Sequence, residues 1–336
     1  MSACVPRQIV YNKDLGYLIP ETEIQKTIDS IGVRERRIAD ADVCASDLAY
    51  KAAVKLMSDH DIDPASIDVL LFMSQTADYR IPATAPLLQD RLGLSTDTLA
   101  MDLSLGCSGF VFALSTAYAY ASLPDVNRVL LLDGETFSKI VNRKDKVDWP
   151  LYGDAATATL IEKGDFGESC FILRSDGSGR DAVIINDGMR NPITEESLVE
   201  RKNDNGDIHS GLEIYMNGMD VFNFAMRRVP QSIKEIADVT GTTLGDIDWL
   251  VFHQANRFMT DFFVKKLKFD PKKVPYCIDK YGNTSSTSIP LTMVSELHGK
   301  IKDGDEVIMA GFGAGLSWGV AKVTTNGCMF SQVIEY

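Results

Sequence analysis

Short, continuous apolar runs alternate with longer segments of helical period along this chain. Four runs read as strands: Ile67-Asp-Val-Leu-Leu-Phe-Met-Ser-Gln75, Arg128-Val-Leu-Leu-Leu-Asp-Gly134, Ile247-Asp-Trp-Leu-Val-Phe252 and Glu306-Val-Ile-Met-Ala-Gly311. Polar and apolar positions do not alternate within them, so both faces of each strand are expected to be covered. Ala49 to His60 and Val229 to Val239 carry their apolar positions at helical spacing. Phe110 to Leu123 is almost wholly apolar or small and too long for a strand, which predicts a buried helix. Helices alternating with apolar strands imply a mostly parallel sheet with helices on both faces.

The second half of the chain repeats the first. Ile67 to Gln75 resembles Ile247 to Ala255, and each follows a helical pattern and precedes another. Arg128 to Gly134 corresponds to Glu306 to Gly311, and Gly153 to Ile161 corresponds to Leu316 to Val323. The offset is about half the chain, so the pattern is two copies of one domain and not a solenoid. The boundary falls in the polar Lys163-Gly-Asp-Phe-Gly-Glu168, giving halves 1–165 and 166–336. Equivalent loops from the two halves should meet at the functional site.

Three residues stand at matching strand ends. Cys107 lies in Asp102-Leu-Ser-Leu-Gly-Cys-Ser-Gly-Phe110, where the strand leading in from Thr98 gives way to the apolar helix. Its small neighbours would let a thioester approach. The helix N-terminus is expected to lower its pKa and favour the thiolate. A buried structural cysteine fits this segment equally well. His253 follows an apolar strand and so stands at the C-terminal edge where open α/β sheets bind ligands, although such a histidine more often only packs. Asn283 lies in Tyr281-Gly-Asn-Thr-Ser-Ser-Thr-Ser-Ile-Pro290, before a helix expected near Leu291. Asparagine beside glycine is more often a turn residue, but the symmetry of the three positions favours a site.

Composition narrows the classes. At 336 residues and 45% hydrophobic, the chain can bury a sizeable core. A net charge of −13 argues against general nucleic-acid binding. The six cysteines form no C-x-x-C pair, so neither a zinc site nor a disulfide framework is expected. Apolar runs fall short of a membrane span and the N-terminus lacks a signal segment, which predicts a cytoplasmic protein with no membrane partner. Asn191 to Gly211 is polar and charged and predicts an exposed excursion.

The order Cys107, His253, Asn283 and its surroundings are similar to 3-oxoacyl-[acyl-carrier-protein] synthase III, a family of thiolase-like condensing enzymes. The resemblance rests on Ile31-Gly-Val-Arg-Glu-Arg-Arg-Ile38, Gly106-Cys-Ser-Gly-Phe110, Tyr152-Gly-Asp-Ala155, Met216-Asn-Gly-Met-Asp-Val-Phe222, His253-Gln-Ala-Asn256, Gly282-Asn-Thr-Ser285 and Gly311-Phe-Gly-Ala-Gly-Leu-Ser-Trp-Gly319, in the family's order. It implies an α/β thiolase-like fold of two pseudo-symmetric halves, each with a mixed, mostly parallel five-stranded sheet, layered α/β/α/β/α. It implies that Cys107 takes an acyl group from a thioester, with the backbone N–H groups of Cys107 and Ala314 as an oxyanion hole. His253 and Asn283 would then stabilise the enolate formed when a malonyl thioester loses carbon dioxide. The substrates would be thioesters of coenzyme A or of carrier-protein phosphopantetheine, with no tightly bound cofactor and no metal. The implied partners are an acyl carrier protein and a second copy of the chain.

The binding residues depart from the family pattern. Lys26 falls where many members carry a tryptophan that stacks on the coenzyme A adenine, and Lys146 falls near the arginine on its other face. Lysine could attract phosphate but could not stack. Ile81 falls where the family often places a phenylalanine that reaches into the partner subunit's acyl pocket. Arg257, Lys265, Lys266, Lys268, Lys272 and Lys273 form a positive run that reads either as a solvated helix face or, as the resemblance implies, as the carrier-protein docking surface with Arg257 and Lys265 in contact. Val5 to Val10 matches the turn after the family's first strand, so that strand is expected to be missing. These departures favour a specialised pathway over fatty-acid initiation. An alternative keeps the acyl-cysteine but delivers the acyl group to an amine or hydroxyl. Cys, His, Asn order also occurs in papain-like proteases, but their Cys-Gly-Ser-Cys-Trp signature is absent. A non-catalytic carrier-binding homologue is the remaining reading.

Overall fold

Among the described residues, ten strands form the two main sheets. In the computed structural model, which describes residues 1–203 and 206–336, these are β1 (Ser2–Val5), β2 (Val69–Met73), β3 (Leu99–Leu103), β4 (Arg128–Glu135), β5 (Ala155–Glu162), β6 (Ser169–Ser175), β7 (Trp249–Phe252), β8 (Glu306–Gly313), β9 (Ser317–Thr324) and β10 (Val333–Glu335). The first sheet runs β10-β1-β5-β4-β2-β3 and the second β7-β8-β9-β6. The repeat survives in the pairing. Parallel β2·β4 is matched by parallel β7·β8, antiparallel β4·β5 by β8·β9, and antiparallel β1·β5 by β6·β9.

The helices used below are α1 (Glu21–Ile31), α2 (Ala45–Asp59), α3 (Thr84–Arg91), α4 (Gly109–Ala121), α5 (Gly218–Val239), α6 (Arg257–Leu267) and α7 (Ser288–Glu296). Every residue of β2 is buried. Val69, Leu71 and Met73 pack inward on α4 with Phe110 and Leu114, while Leu70 and Phe72 pack outward with α2 and α3. In β8, Val307 and Met309 face the same inner layer, and Ile308, Ala310 and Phe312 face α5 and α6. Two-sided burial is the reason these strands lack alternation. The resulting layers are α/β/α/β/α, with α4 and α7 in the middle.

Three expectations need correction. The sheets hold six and four strands among the described residues, not five each. Val274-Pro-Tyr-Cys277, the counterpart of β3, forms no strand. Pro275 has no N–H for a ladder, and the N–H of Cys277 goes to Oε1 of Gln254 instead. The first strand is present as β1, fully buried between β5 and β10. Ser-Ala-Cys-Val carries little strand propensity, and neighbours on both sides supply what the local sequence lacks. Parallel pairing dominates the first sheet, whereas the second has one parallel and two antiparallel pairings.

Helix α5 starts eleven residues before the sequence pattern predicts and runs through Pro230. That proline leaves the carbonyl of Met226 without its helical donor. Nζ of Lys266 fills the gap at 2.7 Å. Most described residues of the excursion at 191–211 are exposed, and within it Arg201–Lys202 pairs with Ile208–His209. Asp204 and Asn205 lie outside the described residues. No helix among the described residues is long and apolar enough to cross a membrane.

Candidate active site

Cys107 sits in the turn between β3 and α4, closed by the N–H of Gly109 on the carbonyl of Gly106 at 2.6 Å. Strand β8 passes directly beneath it. A Cβ on Gly311 would stand 2.9 Å from Cα of Ser108, and one on Gly313 would stand 2.7 Å from Cβ of Cys107 and 3.0 Å from its sulfur. Glycine is required there because a backbone occupies the space. The loop after β8 is tied to α4 by side chains. The hydroxyls of Ser108 and Ser317 are 2.7 Å apart, and Ser317 donates to the carbonyl of Ala314 at 2.7 Å. This holds Ala314 beside Cys107, where its N–H and the residue's own N–H both favour the sulfur anion.

The thiol is not a resting thiolate. Some of the residue remains accessible, but the sulfur is ringed by protein, and burial pushes the thiol up to about 11. The hydroxyl of Ser285 and the two N–H groups favour the anion and the charge of Glu135 opposes it. Desolvation therefore outweighs the stabilising N–H groups on which the expectation of a lowered pKa rested.

His253 begins the loop after β7, with its N–H on the carbonyl of Ala310 at 2.8 Å. Its ring is buried against the edge of Phe312, and Nδ1 lies 2.7 Å from Oγ of Ser288. Burial pushes the imidazole down to about 3, so it is neutral at physiological pH. Asn283 follows Gly282, whose φ of +69° and ψ of −163° suit only glycine. A Cβ there would meet the carbonyl oxygen of Leu151 at 2.6 Å. Asn283 bridges to the segment after Trp149, donating to Leu151 at 2.8 Å and accepting from Gly153 at 3.1 Å. That segment is organised by the buried Arg36, which stacks on Trp149 and donates to the carbonyls of Trp149 at 2.6 Å and Tyr152 at 3.1 Å.

Cys107, His253 and Asn283 converge on one residue that sequence reasoning left without a role. Oγ of Ser285 is 3.9 Å from the sulfur of Cys107. Its N–H donates to Oδ1 of Asn283 at 2.9 Å. Its carbonyl accepts from Ser288, the neighbour of His253, at 2.9 Å. Ser285 holds a φ of +53°, uncommon for serine. Its sequence signal is the small-residue run after Asn283. The acids Asp133 and Glu135 behind it are equally legible in hindsight, as carboxylates inside an apolar strand.

The remaining sequence candidates lie outside this centre. Lys26 on α1, Lys146 and Lys265 are exposed. Arg257 is exposed but engaged, with Nε on Asp261 at 2.9 Å and its guanidinium 3.8 Å from the ring centroid of Tyr276. Ile81 projects from the loop between β2 and α3 with 88% of its surface open.

Residues 101–177 match the family described as 3-oxoacyl-[acyl-carrier-protein (ACP)] synthase III, and residues 237–325 match its C-terminal part. A β-ketoacyl-[acyl-carrier-protein] synthase III from Agrobacterium fabrum is 36% identical over 325 residues, covering 94% of this chain and 95% of that protein. The chain belongs to the 3-oxoacyl-[acyl-carrier-protein] synthase III family. Its fold is thiolase-like. The crystal structure of a 3-oxoacyl-(acyl-carrier protein) synthase from Burkholderia xenovorans superposes with a TM-score of 0.93 at 35% identity, covering 100% of this chain and 95% of that one. The priming β-ketosynthase of the R1128 polyketide pathway superposes with a TM-score of 0.85 at 27% identity, covering 96% and 93%. The fold is thus shared by relatives named as acyl-carrier-protein synthases and by one named for a polyketide pathway.

Proposed function

We propose that this protein is an acyltransferase that loads an acyl group on Cys107 and condenses it with a malonyl carrier-protein thioester to give a 3-oxoacyl thioester. The convergence of Cys107, His253 and Asn283 on Ser285 carries the reading. The sulfur attacks the thioester carbonyl, and its proton leaves on the departing thiol. The N–H groups of Cys107 and Ala314 hold the oxyanion. The malonyl group then loses carbon dioxide, and the electron pair of the broken bond enters an enolate. His253 and Asn283 donate to the enolate oxygen, a role that requires hydrogen on Nε2, so the Ser288 hydroxyl must turn its one hydrogen from the carbonyl of Ser285 to Nδ1. The enolate carbon attacks the acyl carbonyl, and the sulfur departs and regains a proton.

Coenzyme A or carrier-protein phosphopantetheine brings the acyl group, and no tightly bound cofactor or metal takes part. Lys26, Lys146, Arg257 and Lys265 serve as contacts for the thioester donor or the carrier protein. Lysines in place of an aromatic sandwich favour carrier-protein donors and a specialised pathway. Six cysteines without a disulfide among the described residues fit a cytoplasmic enzyme. A homodimer is supported by apolar exposure. The edge strand β3 is partly open, and Tyr79, Ile81, Met189 and Leu198 are exposed, with Arg80 contacting Met189 across the two loops.

The test is intact-protein mass spectrometry with a panel of acyl-coenzyme A and acyl-carrier-protein thioesters, with Cys107→Ala as control. An adduct on the wild type alone, followed by carbon dioxide release with malonyl carrier protein, is the expected result. An adduct discharged to amines or alcohols without carbon dioxide release would replace condensation by transfer to a non-carbon nucleophile. A folded protein without any adduct would overturn the reading.

A further inference from the structure

Two carboxyl groups lie fully buried behind the nucleophile, on the last turn-facing residues of β4. Ser286 donates to Oδ1 of Asp133 at 2.6 Å and to Oε1 of Glu135 at 3.1 Å. Glu135 also accepts from the N–H of Gln75 at 3.1 Å and the hydroxyl of Thr76 at 2.7 Å. Oδ2 of Asp133 has no hydrogen-bond partner. One acid thus joins two segments that frame Cys107. Ser286 extends the Asn283–Ser285 loop, whose Ser285 touches the sulfur. Gln75 lies against Gly106, where an added Cβ would meet Oε1 of Gln75 at 2.7 Å.

The surroundings hold no nearby charge to neutralise the pair on its own sheet. The ladder neighbours of Asp133 are Met73 and Thr157, and that of Glu135 is Ala155. From α2 the carbonyl of Ala45 approaches Gly134. The ionisable groups around the sulfur are Glu135, Tyr152 and, through Ser285, the neutral His253. Two buried carboxylates this close cannot both ionise freely. Burial holds Asp133 well above the usual range and Glu135 up to about 7, so Asp133 keeps the proton and Glu135 takes charge near neutrality.

We propose that Glu135, coupled to Asp133 through Ser286, is a positioning residue for Cys107 that fixes the loops around the sulfur and sets its carboxyl group behind them. The inference rests on Cys107 being the acyl-carrying nucleophile. Its test reads the thiol alone, so it can fail while acyl transfer stands, and the reverse.

The experiment is the pH dependence of Cys107 alkylation by iodoacetamide, followed by intact mass, on the full chain. Glu135→Gln removes the charge and keeps an acceptor for Thr76 and Gln75. It is expected to alkylate severalfold faster at pH 8, with the high-pH plateau unchanged. Asp133→Asn replaces a group already neutral and is expected to shift the midpoint little. A loosened structure would instead raise the plateau. An unchanged midpoint in Glu135→Gln, or a raised plateau alone, overturns the proposal. Wild type gives a second readout that needs no variant. The logarithm of its rate should climb with less than unit slope near pH 7, where Glu135 takes its charge, and a straight unit slope there overturns the proposal.

Discussion

Asn283 accepts the N–H of Ser285 on its Oδ1 at 2.9 Å, which commits its amide oxygen to the protein and turns Nδ2 towards the carbonyl of Ala255. The side chain is therefore oriented as a donor before any substrate binds. Asn283→Ala removes that donor and frees Ser285. Condensation should fall by about 10²-fold or more, the usual scale for one oxyanion donor, while acyl-Cys107 still forms. Parallel intact-mass and product assays separate the steps, and an equal loss in both would contradict a condensation-specific role.

Gly313 is fixed by Cys107 itself. Gly313→Ala places a methyl 2.7 Å from Cβ of Cys107, so β8 or the nucleophile must move. Overpacking of this kind costs about 1–3 kcal/mol. Acylation should drop at least tenfold alongside a lowered Tm, and wild-type acylation in this variant would refute the contact.

Arg36 fixes Asn283 at second hand, through the backbone of Trp149 and Tyr152. Arg36→Ala strands their carbonyls and Oδ1 of Asn12, on which Nε sits at 3.0 Å. Each buried acceptor left unpaired costs about 1–3 kcal/mol, so urea unfolding should report a loss of about 3 kcal/mol or more. A loss below about 1 kcal/mol would show that water replaces the guanidinium.

Stability should fall as pH rises from about 6.5 to 8. Burial raises Glu135 to about 7 and Asp148 to about 8 in the folded protein. An acid raised on folding contributes fully below its unfolded pKa and loses that contribution as pH climbs through the folded one. His253, lowered to about 3, works in the opposite sense but only as pH falls below its unfolded value. Asp148→Asn should therefore flatten the decline between pH 7 and 8, seen as a smaller change in Tm across that interval. An unaltered slope would assign the proton release elsewhere.

Ile81 is expected to work in a second copy of the chain. Sedimentation velocity at micromolar concentration should give a dimer, and Ile81→Asp should weaken it and change which acyl chain is accepted. A monomeric wild type would remove Ile81 from any acyl pocket.

The sequence by itself determined the duplicated architecture, because strands covered on both faces must be apolar throughout and the same run recurs in each half. It also marked Cys107, His253 and Asn283, since glycine and small residues crowd wherever a backbone must pass close to a reacting group. What it could not decide depends on neighbours distant in the chain. Ser2–Val5 becomes a strand because β5 and β10 flank it, and Val274–Cys277 does not because its proline has no N–H to donate and Gln254 takes the N–H of Cys277. Pro230 fits a long helix because Lys266 reaches the carbonyl it frees. The sulfur of Cys107 stays protonated because desolvation, a property of the closed tertiary structure, outweighs the helix N-terminus that the sequence displays. Only the folded chain brings Ser285 under all three residues and places Asp133 and Glu135 behind them, since that meeting joins loops from both halves.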